Sequence, residues 1–126
     1  ALIKKLLINK SKLEVLGDKK VTRDFVFAND LAKAIIVILN SSRKLKRIIN
    51  FSSEKATSIE SLSKTLIKVS KRKKKIQFIK TMPSSAKFRV LDNSYFNNIF
   101  RSFKRTNLND GLKKTVEWYK SEKYLK

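Results

Sequence analysis

Short strand-like runs alternate with amphipathic stretches along the whole of this chain, and that alternation limits the architectures open to it. Ala1 to Ile8 carries apolar residues at helical spacing and reads as the tail of a helix. "KLEVLG" (12–17) reads as a short strand ending in a Gly17-Asp18 turn, and Phe25 to Phe27 as a second extended piece. Asp30 to Leu39 has the pattern of a helix whose wide apolar face packs inward, with Asn29 or Asp30 as its cap. "RIINFS" (47–52) reads as a buried strand. Thr57 and Glu60 in "TSIESL" have the spacing of a capping box opening a helix to about Val69. "KIQFI" (75–79) is a further strand, "DNSYFNNIF" a short helix, and Leu108 to about Ser121 the last helix. The order predicts an α/β arrangement with no linker, repeat or internal domain boundary.

Several kinds of chemistry are excluded by residues the chain lacks. With no cysteine and no histidine it has no disulfide, no thiolate or imidazole metal site and no His-dependent triad. Two glycines are too few for a dinucleotide fingerprint or a phosphate loop. The longest apolar run, Ala34 to Leu39, is far short of the roughly 20 residues that span a bilayer. Absence of cysteine is compatible with a reducing, cytoplasmic setting.

Charge is the loudest compositional signal: 31 Lys and Arg against 10 Asp and Glu, a formal net charge of +21. Such a field suits a free-standing basic nucleic-acid-binding module. Lys outnumbers Arg 24 to 7, however, and only "KRKKK" (71–75) forms a cluster, at the end of a helical stretch where cations suit the dipole. Spread-out Lys of this kind argues against a dedicated nucleic-acid role. Tyr119 and Lys123 spell Y-x-x-x-K, the helical spacing by which a Lys lowers a Tyr pKa for proton transfer. In so Lys-rich a chain, and so near its end, the pair reads as a packing aromatic beside Trp118 and a solvated cation.

Four stretches in order carry a family resemblance. "VLGDKKVTRDFVFANDLAKAI" (15–35) resembles the G-x-G-x-x-x-R-[DE]-F-[ILV]-[HYF]-V-x-D-[LV]-A-x-A signature of extended short-chain dehydrogenases/reductases acting on nucleotide sugars. "IINFSSEKATSIESL", "FRVLDNSYFNNI" and "TNLNDGLKKTVEWYKSE" resemble that family's later strand-loop-helix, its R-K-x-x-D segment and its closing helix. Gly17, Gly111 and Pro83 fall on family positions. "MPSSAKFRVLD" is most similar to the corresponding segment of GDP-fucose synthases. Departures are Leu16 where those enzymes often carry Trp, Met82 for Lys, Ser84 for an acid that contacts substrate, Phe88-Arg89 for Arg-Lys, and Ser52-Ser53-Glu54 for the Gly-Ser-Gly loop.

The resemblance implies the C-terminal, substrate-binding portion of an NAD(P)-dependent epimerase, dehydratase or reductase. The Gly-rich cofactor loop and the catalytic Tyr, Lys and Ser/Thr would lie upstream, so this chain would hold no catalytic or cofactor-binding residue and no metal. Its implied partners are a nucleotide-sugar substrate and an upstream Rossmann domain, and a homodimer is compatible with it. The implied substrate-binding residues are Arg23, Leu16, Ser84 and Arg89. Arg23 would grip the substrate pyrophosphate, with Phe25 to Phe27 burying its base. On the residues alone, Arg23 pairing with Asp24 or Asp30 at the surface stands as the alternative.

Overall fold

Alternation along the first strand decides where the core lies. The computed structural model describes residues 2–8, 11–79 and 86–121. Strand β1 (Lys12–Leu16) turns Leu13 and Val15 inward and Lys12 and Leu16 outward, the period-two pattern of a half-buried strand. Leu13 and Val15 meet Leu6 of α1 (Leu2–Ile8), Leu66 of α3 (Ile59–Ser70) and Val116 of α5 (Leu108–Ser121) in one buried cluster. β1 lies parallel to β4 (Lys75–Ile79), with Leu13 opposite Ile76 and Val15 opposite Phe78. Gly17 adopts φ +102, a conformation that costs a side-chain-bearing residue, and its N–H extends this ladder to the Ile79 carbonyl at 2.9 Å.

A second, three-stranded sheet has the order β3 (Ala56–Ser58), β2 (Thr22–Asp24), β5 (Phe88–Arg89). β2 runs antiparallel to β3 and parallel to β5. The remaining helices are α2 (Ala28–Leu39) and α4 (Ser94–Ile99). The helix and strand expectations therefore hold for α1, β1, β4, α4 and α5, and the mixed α/β class with them.

Four details differ, each for a local reason. The strand expected at Phe25 to Phe27 forms instead at Thr22–Asp24. That is where the backbones of residues 56–58 and 88–89 lie alongside, and a ladder needs neighbours more than it needs apolar side chains. "RIINFS" forms no strand: among the described residues it finds no ladder partner, and Ile48 is 78% exposed. Side chains hold this region, with the Lys46 N–H donating to the Tyr95 hydroxyl and Asn50 Nδ2 to the Asp92 carbonyl. The α3 cap is Ser58, whose hydroxyl accepts from the Ser61 N–H at 3.1 Å, while Thr57 is held in β3. Glu60 turns to Lys64 at 2.8 Å, and that contact keeps its carboxyl below the usual range.

The fourth difference concerns α2. Its N-cap is Phe27, which offers no side-chain acceptor, so neither Asn29 nor Asp30 caps the helix. Asp30 sits in the first turn, buried, and accepts from the backbone N–H and the hydroxyl of Thr106. It tethers α2 to the start of α5 across the molecule. Nearby, Gly111 of α5 lets Phe27 approach closely: a Cβ there would lie 3.4 Å from the Phe27 Cβ and 3.5 Å from its ring Cδ2. The apolar face of α2 does not pack inward: Leu31, Ile35, Ile36 and Leu39 are exposed, and only Ala34 and Asp30 are buried.

A capping carboxylate lost from a helix end costs about 1 kcal/mol, whereas a buried charged acceptor taking two donors is worth more. Asp30→Ala is expected to cost about 2–3 kcal/mol in urea unfolding, and Asn29→Ala well under 1 kcal/mol. Equal small losses at the two positions would show that Asp30 is only a surface residue.

Candidate functional site

Arg23 and Arg89 are brought side by side by strand register. β2 and β5 pair so that Arg23 lies opposite Arg89, and on the other edge Arg23 lies opposite Thr57. Residues paired across a ladder project from the same face of the sheet. Arg23 is half-buried, and its Nη1 donates to the Thr22 carbonyl at 2.8 Å and to the Ala86 carbonyl at 3.1 Å. Arg89 is exposed. The Arg23 guanidinium is thus aimed by two backbone carbonyls, which orient it without neutralising it.

The surface pairing left open by the sequence does not form. Asp24 accepts from the backbone N–H of Ser53 at 2.9 Å and from its hydroxyl. Asp30 is committed to Thr106. Among the described residues the ion pairs are Lys12 with Glu14, Lys64 with Glu60 and Arg105 with Glu54, and none involves Arg23 or Arg89. Two arginines paired across adjacent strands, with no carboxylate partner among the described residues, can offer several N–H donors to a dianionic group such as a diphosphate. Leu16 belongs to the other sheet and is 60% exposed at the end of β1. Ser84 lies outside the described residues, as do Met82, Pro83 and Lys123. Of the phenylalanines that follow Arg23, Phe27 packs on Gly111 and Phe25 lines a neighbouring cleft together with Thr57. Trp118, expected as a packing aromatic, is 52% exposed with its ring edge-on to Tyr119.

That cleft, of ≈ 590 Å³, opens between the 53–57 loop, α3 and the start of α5, with Phe25, Thr57, Lys68 and Arg105 among its walls. Arg105 is the residue that sequence reasoning missed. Its Nε donates to the Ser52 carbonyl and its Nη2 to Asn97 Oδ1, both at 2.7 Å, and its Nη1 lies 3.3 Å from the Glu54 carboxylate. Its guanidinium sits over the rings of Phe51, Phe96 and Phe103, 4.8–5.8 Å from their centroids. Nothing in composition distinguishes it among 31 basic residues. No local pattern marks it out, since the residue directly after Phe103 is Lys104 and Phe100 is followed by another arginine, Arg101.

Arg105 also accounts for the altered loop. Glu54 occupies the left-handed region, φ 67, at the second glycine of the resembled Gly-Ser-Gly pattern. Its carboxylate is held by Arg105 and by the side-chain amide of Asn97. Two side-chain contacts thus offset a backbone conformation that costs roughly 1–2 kcal/mol outside glycine.

A model of the NAD dependent epimerase/dehydratase family matches residues 1–51. GDP-L-colitose synthase of Yersinia pseudotuberculosis is 28% identical over 98% of this chain, and dTDP-4-dehydro-6-deoxy-D-allose reductase of a Streptomyces species 29% identical over 89%. The chain spans 41% and 33% of the length of these two relatives. UDP-glucuronic acid 4-epimerase of Bacillus cereus, solved with UDP-glucuronic acid and NAD, superposes with a TM-score of 0.80 at 26% identity, over 95% of this chain and 38% of that one. A GDP-L-fucose synthetase of Naegleria fowleri has the same fold, with a TM-score of 0.86 at 19% identity over 99% of this chain and 41% of that one. The fold is a mixed α/β one that matches about two-fifths of these extended short-chain dehydrogenase/reductase structures, and the chain is similar to nucleotide-sugar epimerases and reductases.

The Glu54 assignment is checked by substitution. Glu54→Ala keeps the unfavourable φ and loses both contacts, whereas Glu54→Gly loses the contacts but removes the strain. Glu54→Gly is expected to be the more stable by about 1 kcal/mol in chemical unfolding. The reverse order would show that residue 54 is not held left-handed.

Proposed function

We propose that this chain is the substrate-binding portion of an NAD(P)-dependent nucleotide-sugar epimerase, dehydratase or reductase, similar to GDP-fucose synthases. Arg23 and Arg89 take the substrate diphosphate. The observation that carries this reading is their pairing in register, with no carboxylate among the described residues committed to either. A guanidinium fork held by backbone carbonyls stays charged and pre-aimed, which is what bidentate diphosphate recognition requires. The relatives and neighbours above support the substrate class, since their names describe GDP-, dTDP- and UDP-linked sugars. On this reading Leu16 also contacts the substrate, and Ser84, proposed with it, lies outside the described residues.

The residues present do not fit a nicotinamide cofactor. A dinucleotide pyrophosphate is cradled by a Gly-rich turn at a helix N-terminus. Here Gly17 leads from β1 into a turn and Gly111 lies within α5 under the Phe27 ring. The cofactor, NAD or NADP, and the proton-transfer residues therefore belong to a Rossmann domain outside this segment, and no catalytic step is assigned to the residues here. The uncovered face of α2, with Leu31, Ile35, Ile36 and Leu39, is where that domain docks. Among the described residues no helix is long and apolar enough to cross a membrane, and no three acidic side chains gather as a metal site. A cytoplasmic setting goes with this reading, and the absence of cysteine is compatible with it.

In the full-length protein, Arg23→Ala is expected to weaken nucleotide-sugar binding by about 2–4 kcal/mol. Arg23→Lys should recover only part of that, because an ammonium is a single-point donor. Cofactor affinity should stay constant. Calorimetric titration of GDP- and UDP-sugars decides it, and equal affinities for wild type and Arg23→Ala would remove Arg23 from the site.

Domain docking has its own test, in which one change acts with opposite sign in two settings. In the isolated segment, Ile36→Lys with Leu39→Lys should reduce aggregation and dye binding to exposed apolar surface. In the full-length protein the same pair should lower the melting temperature. Improved or unchanged stability there would leave α2 without a docked domain. The isolated segment should also give no saturable change in NADPH fluorescence.

A further inference from the structure

We propose that Arg105 is the positioning residue of the arginine pair, acting on Arg23 through the 52–54 loop. This rests on the diphosphate reading above and adds a residue that no sugar or phosphate needs to touch. Arg105 grips the loop at two points, the Ser52 carbonyl and the Glu54 carboxylate, with Ser53 between them. Ser53 in turn gives both its N–H and its hydroxyl to Oδ1 of Asp24. Asp24 immediately follows Arg23 in β2, and its other oxygen, Oδ2, is buried without a hydrogen-bond partner among the described residues. Ser53 is therefore what satisfies that carboxylate, and the loop geometry sets where the end of β2 sits.

The far end of Arg105 is equally fixed. Its side chain is 13% exposed, and it is boxed by the rings of Phe51, Phe96 and Phe103. Asn97 of α4 accepts from its Nη2 and also donates to Glu54. A planar, permanently charged fork meets all these partners at once, which a lysine ammonium cannot do. A short strand with two or three ladder contacts on each side has little stiffness of its own. Displacing Ser53 moves Asp24, and movement of Asp24 rotates the neighbouring Arg23 off the Thr22 and Ala86 carbonyls that aim it.

The test is a double-mutant cycle in the full-length protein, read as calorimetric affinity for UDP and GDP at constant salt. Variants that remain folded by circular dichroism are compared: Arg105→Gln, Arg105→Lys, Ser53→Ala, Arg23→Ala, and Arg23→Ala combined with each. Arg105→Gln is expected to weaken diphosphate binding by about five- to tenfold, and Arg105→Lys by nearly as much. Ser53→Ala leaves Arg105 and its partners untouched, so it covers the case in which Arg105 variants do not fold, and it should cost about two- to fivefold. Neither change should weaken binding further once Arg23 is already Ala, because the effect runs through Arg23. Undiminished binding in Arg105→Gln and Ser53→Ala while Arg23→Ala binds weakly would overturn the positioning role alone, as would losses that add in full to that of Arg23→Ala. No effect of Arg23→Ala itself would overturn the diphosphate reading, and this inference with it.

Discussion

A guanidinium inside an aromatic box organises the half of this molecule that has little regular structure. Between α2 and β3, and again between β5 and α5, the chain runs mostly without ladder or helix. Phe51, Phe96 and Phe103 meet edge to face there, with centroids 4.8–5.4 Å apart, and Arg105 lies against all three. Ring faces attract a cation most strongly when water is excluded, and the carbonyl, amide and carboxylate around Arg105 complete its hydrogen bonding. The result is a small second core, separate from the aliphatic cluster of Leu6, Leu13, Val15, Leu66 and Val116. Where backbone pairing is missing, one side chain with several fixed donors supplies the geometry.

Scarcity of acids gives that arrangement its electrostatic consequence. The chain has 10 carboxylate residues against 31 cations. Asp24 serves Ser53, Asp30 serves Thr106, Glu54 serves Arg105, and Glu14 and Glu60 serve lysines. Each acid near β2 is thus committed to a structural partner, and the two arginines on adjacent strands keep their charge. In this family-like fold the buried guanidinium is neutralised internally while the strand-borne pair stays available. The difference between Arg105 and Arg23 lies in their neighbours, since the two side chains are chemically the same.

The exposed face of α2 belongs to the same account. A helix with apolar residues at 31, 35, 36 and 39 is built to be covered. Among the described residues only Asp30 and Ala34 of this helix are fully buried, with Val37 and Ile38 half-buried. The span of the relatives, more than twice as long, matches the need for a further layer. Packing against a separate domain would bury that face.

Much of this was legible in the residues themselves. Periodicity placed β1, β4 and α5, because a run that alternates or repeats every three to four residues has few other ways to bury its apolar side chains. The ordered motifs placed the fold. Other features were decided only by tertiary contact. Which residues of "VTRDFVF" form the strand depended on where two distant segments lay alongside, and a ladder is a property of pairs. Asp30 looked like a cap and became a tether because Thr106, far along the chain, offered its donors. Arg105 had no local signature, since its role consists of partners at positions 51 to 54 and 96 to 103. Local sequence sets what a segment prefers, through side-chain spacing and backbone freedom. Only the closed structure decides which charges meet, because a charge is neutralised by what lies within a few ångströms of it and not by its neighbours in sequence.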